Sequence, residues 1–95
     1  MGKQKSPDLR GQIEALSQND RIEVFWLDSY ALFGWQKLDA IDSTETGLCS
    51  TCGYFVRASD QSLVVALNRG LAANMTSYGD IIFIPLASVT ALNVL

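Results

Sequence analysis

The sequence contains no histidine. Histidine is the side chain that ordinarily changes charge near neutral pH. Its absence removes the usual general base, the hydrolase triads and every His-ligated metal. Cysteine is scarce too: two in 95 residues provide no disulfide framework. Charged residues make up 18% of the chain, and the net charge is −3. At a pI of about 4.6 such a surface repels phosphate backbones, whose attraction to Lys and Arg supplies most nucleic-acid affinity. Nucleic acid is therefore disfavoured as a partner. The one basic cluster, Lys3, Lys5 and Arg10, reads as a solubilising terminus. No apolar run approaches the roughly 18 residues that span a bilayer, so no membrane partner is expected. Residues 1–5 are polar and lack the apolar stretch of a secretory signal, which leads to the expectation of a cytoplasmic protein. There is no internal repeat, no low-complexity stretch and no phosphate-cradling glycine motif.

Hydrophobic residues, by contrast, are plentiful at 48% of the chain. A chain this short makes one domain and buries only a modest fraction of its surface, so a more polar composition is the ordinary outcome. The surplus implies either unusually few polar faces or apolar surface covered by another copy or a partner.

Along the chain, residues 1–6 have no apolar anchor and read as a disordered tail, with a single domain over residues 7–95. Ser6-Pro7-Asp8 is a helix start: a capping hydroxyl, proline at the first helical position and an acid in the first turn. Leu9, Ile13 and Leu16 follow as one apolar stripe, giving a helix over 7–18 that is too short to stand alone. Residues 21–27 (RIEVFWL) read as a strand with Ile22, Val24 and Trp26 on one face. Residues 30–35 are aromatic and broken by Gly34, residues 36–41 suit one helical turn, and 42–47 form a polar loop. Strands are expected at 51–58 and 62–68, joined as a hairpin through Ser59-Asp60-Gln61. A long loop spans 69–79, a fourth strand 80–85 stops at Pro85, and residues 86–88 make one 3₁₀ turn. The last strand covers 89–95. This order predicts a mainly β fold over 21–95: a small five-stranded SH3-like or Sm-like barrel behind a short N-terminal helix. Phe25 and Leu27, Val64 and Ala66, and Ile81 and Phe83 lie opposite the faces assigned to the interior. The helix is expected to cover some of them, and a second subunit the rest. The edge strand over 90–95 offers a main-chain route to the same association.

Four short patterns, Trp26-Leu27-Asp28, Gly34-Trp35, Gly53-Tyr54 and Ile84-Pro85, resemble those of a group of small phage-encoded proteins. The resemblance covers about residues 21–95. It implies a virus-encoded accessory protein and brings no assigned activity with it. The Cys49–Cys52 pair has no place in that pattern.

Cys49 and Cys52 supply half of a structural zinc set, which two copies could complete. As a redox pair they should precede a helix, but they precede Gly53-Tyr54-Phe55-Val56, a strand. Residues three apart in a strand point to opposite faces, which favours two small apolar fillers. Asp28, Asp39, Asp42, Asp60 and Asp80 form no pair or spacing that suggests acid–base or metal work. Neither enzyme activity, nor a metal, nor a cofactor is expected. Trp26, Tyr30, Phe33 and Trp35 crowd around Asp28 and Gly34. Most aromatics in so small a domain belong to the core, but Trp and Tyr also dominate interface hot spots. Tyr30, Trp35 and Asp28 are accordingly the expected contacts for a protein partner, of host or viral origin, in a homo-oligomeric interaction module. The alternative is an oligomeric sponge for a small anionic, nucleotide-type signalling ligand. Arg69 would then read its charge, with Asn74 and Tyr78 beside it in the loop 69–79.

Overall fold

The computed structural model describes residues 8–29, 31–42, 47–72 and 76–95. The expected tail and the Ser6-Pro7 cap lie outside that set. Helix α1 (Asp8–Glu14) is shorter than the expected 7–18. Gly11 weakens its middle, and the chain leaves it through a tight turn in which the Leu16 amide donates to Ile13 at 3.1 Å. Asn19 follows at φ 77, in the left-handed region that Asn tolerates. The stripe works as read: Leu9 is buried, and Ile13 and Leu16 pack partly buried against the core.

Five strands then form one antiparallel sheet: β1 (Arg21–Asp28), β2 (Gly47–Ala58), β3 (Ser62–Gly70), β4 (Ser77–Pro85) and β5 (Val89–Val94), in the order β4-β3-β2-β1-β5. Between β4 and β5 lies the expected 3₁₀ turn, Leu86–Ser88. The sheet is open where a closed barrel was expected, since β4 and β5 are its two edges and do not pair. It is nevertheless strongly curled. Pro85 and Val89 are four residues apart, so even an extended chain keeps the end of one edge within about 14 Å of the start of the other. Register shifts between Phe55 and Arg57 in β2, and between Phe25 and Trp26 where β1 meets β5, supply local bends. Pro85 ends the β4 ladder, and the 3₁₀ turn delivers the chain to β1 instead of back to β4.

The inner side of the curl is the core. Ile22 and Val24 from β1, Leu63 and Val65 from β3, Ile84 from β4 and Val89 from β5 are fully buried, with Phe55 and Leu92 beside them. Alternation on β1 places them there, as read. Trp26 completes the row, its Nε1 donating to Thr51 Oγ1 at 3.0 Å. Helix α1 packs on this same inner side, and so does not cover the outer face as expected. On the outer face the outcome is mixed. Val64 and Ala66 are buried within the single chain. Ala66 stands between Tyr54 and Ile81, and Val64 between Arg57 and Phe83, all larger cross-strand neighbours. Leu27, Leu48, Ile81 and Phe83 remain exposed.

Candidate functional site

The β1–β2 ladder runs from Arg21 opposite Tyr54 to Asp28 opposite Gly47. Beyond it the chain leaves the sheet as an arm in which every one of residues 31–42 is exposed. The arm has local order. Gln36 Nε2 donates to the Phe33 carbonyl at 3.2 Å across Gly34, whose φ of 87 suits glycine. A 3₁₀ turn, Leu38–Ala40, falls within the helical turn expected over 36–41. What the arm carries is unusual. Leu32, Phe33, Trp35, Leu38 and Ile41 are all exposed, Phe33 at 90% and Trp35 at 103%. Isolated apolar side chains on a surface are ordinary, whereas five within ten residues make a continuous apolar cluster.

Of the residues expected to meet a protein partner, Trp35 stands at the tip of this arm and Asp28 at its base. Asp28 is exposed, and its Oδ1 accepts from the Ser29 amide at 2.8 Å. Tyr30 lies outside the described residues. Phe33 belongs with Trp35, although composition placed it with the core aromatics. The available signal was its position between Leu32 and Gly34, where no alternation continues the strand.

The second expected site changes character. The long loop expected over 69–79 gives way to strand at both ends, because β3 runs on to Gly70 and β4 begins at Ser77. Arg69 and Tyr78 are cross-strand partners. The Arg69 guanidinium carbon lies 5.3 Å above the Tyr54 ring, a cation–π contact. The Tyr78 hydroxyl donates to Asn19 Oδ1 at 2.5 Å, tying the turn after α1 to the β3–β4 hairpin. Asn74 lies outside the described residues. Cys49 and Cys52 are free and lie on opposite faces, Cys49 paired with Trp26 and Cys52 with Glu23. Among the described residues no three potential metal ligands come together, and no helix is long and apolar enough to cross a membrane.

A concave feature lies at the other end of β2. Helix α1, the end of β2, the turn after it and Leu86 enclose a groove of about 690 Å³. Its walls are apolar: Leu9, Ile13, Leu16, Phe55, Ala58 and Leu86. Arg10 and Glu14, 3.9 Å apart, stand on its helix side and Asp60 on the opposite side. No known protein family, curated protein or solved structure matches this chain.

Proposed function

We propose that the chain is a non-enzymatic, virus-encoded accessory protein that works as a homo-oligomeric interaction module on a host or viral protein in the cytoplasm. One observation carries the association: the row of five large apolar side chains that a single chain leaves in water along residues 32–41. The exposed Leu27, Leu48, Ile81 and Phe83 on the outer sheet face add to it. Viral origin rests on the resemblance over residues 21–95. The helix, the strand order β4-β3-β2-β1-β5 and the 3₁₀ turn before β5 support reading the curled sheet as Sm-like. The anionic-ligand alternative gains no such support, because Arg69 and Tyr78 are engaged with Tyr54 and Asn19. Sedimentation velocity over a concentration series tests the proposal. Oligomers that grow in with concentration are expected, and a strict monomer at the highest concentration rejects the reading.

A further inference from the structure

We infer that the apolar arm of one chain docks in the groove beside α1 of a second copy, and that the exchange is reciprocal. This rests on the self-association proposed above and names the surfaces that carry it. The arm is a row of exposed apolar side chains, Phe33 and Trp35 the most exposed among them, and the groove is a concave apolar surface of matching character. They lie at opposite ends of one strand. Gly47 begins β2 at the base of the arm and Phe55 lines the groove, eight residues and so about 26 Å further on. A single chain therefore displays both halves without joining them.

The arm also has area enough to contribute to a dimer interface. A stable interface takes about 800 Å² from each partner. Phe33 and Trp35 alone supply about 300–500 Å² of it, and each chain adds the rest of its arm and its groove walls. Reciprocity follows from closure. Using both arms and both grooves at once completes the pair, whereas one arm passed to each successive chain would build a ring or a filament.

The test uses two surface variants of the full chain in sedimentation velocity. Phe33→Ser with Trp35→Ser removes the arm's anchors, and Ala58→Arg, at an exposed position on the groove wall, obstructs the groove. Each is expected to weaken self-association about tenfold or more, as loss of a buried aromatic anchor does. Mixed in equal amounts, they should form a heterodimer in preference to either homodimer, because one intact arm then meets one intact groove. If wild type associates and the arm variant associates equally well, the arm is overturned while the oligomer stands. If both variants weaken and their mixture restores nothing, the groove is overturned as the arm's destination. A monomeric wild type removes this inference and the reading beneath it together.

Discussion

Gly53 has neighbours that leave no room for a side chain. A Cβ there would lie 2.5 Å from the Ala66 carbonyl oxygen and 2.6 Å from Val65 Cγ1, and the first of these is backbone. Gly53→Ala should therefore force β2 and β3 apart and cost about 1–3 kcal/mol of stability, read as a lower urea midpoint. Wild-type stability in that variant would mean that the two strands separate more easily than their packing indicates. The sequence shows a glycine in a strand and gives no hint of this constraint, because Ala66 is thirteen positions away. Tyr78 and Asn19 are hidden in the same way, 59 residues apart yet hydrogen-bonded. Ile22 and Val24 were legible because their neighbours Glu23 and Arg21 are charged and the period of two is clean. Val64 and Ala66 sit in an uninterrupted apolar run. A run without alternation cannot distinguish burial under cross-strand neighbours from burial under a partner.

Among the elements, existence was easier to read than extent. All five strands, the helix and the 3₁₀ turn before β5 lie where alternation and turn residues place them. β2 begins four residues earlier than expected, over Gly47–Ser50, because pairing with Phe25 to Asp28 of β1 recruits a segment that shows no clear strand alternation of its own. The β3–β4 ladder likewise reaches past its expected ends, to Gly70 opposite Ser77, because each strand supplies the other's partners. The same weakness of local preference applies to α1. Its seven residues would not hold a helix alone, so its stability comes from Leu9, Ile13 and Leu16 against the sheet. Leu9→Ala should lower global stability by about 2–3 kcal/mol. Hydrogen exchange should quicken most at Ala15 and Leu16, whose amides bond within that segment, and least at Phe55, bonded to Asp20 on the sheet. Uniform acceleration at all three would show that helix and sheet open as one unit.

The whole molecule is one open five-stranded sheet, with the exposed arm at one end of β2 and the groove at the other. The mainly β class, the five strands and the β2–β3 hairpin followed from the sequence pattern, but the strand order and the open edges did not, since pairing between edges depends on twist accumulated over the whole sheet. The unpartnered arm was half legible: Trp35 could be singled out beside Gly34, whereas Phe33 could not. Limited digestion with chymotrypsin should cut first after Phe33, Trp35 or Leu38, as mass spectrometry of the fragments would report, and more slowly as protein concentration rises. An initial cut within the sheet would contradict the exposure of the arm. Such a nick would fall in a place with an unusual property. It would sever the covalent link between α1–β1 and everything after them, yet β1 is hydrogen-bonded on both sides, to β2 and β5, and buries Ile22 and Val24 between them. The two halves would stay married without the peptide bond. Produced separately, they should find one another and refold, a natural split point for a complementation reporter.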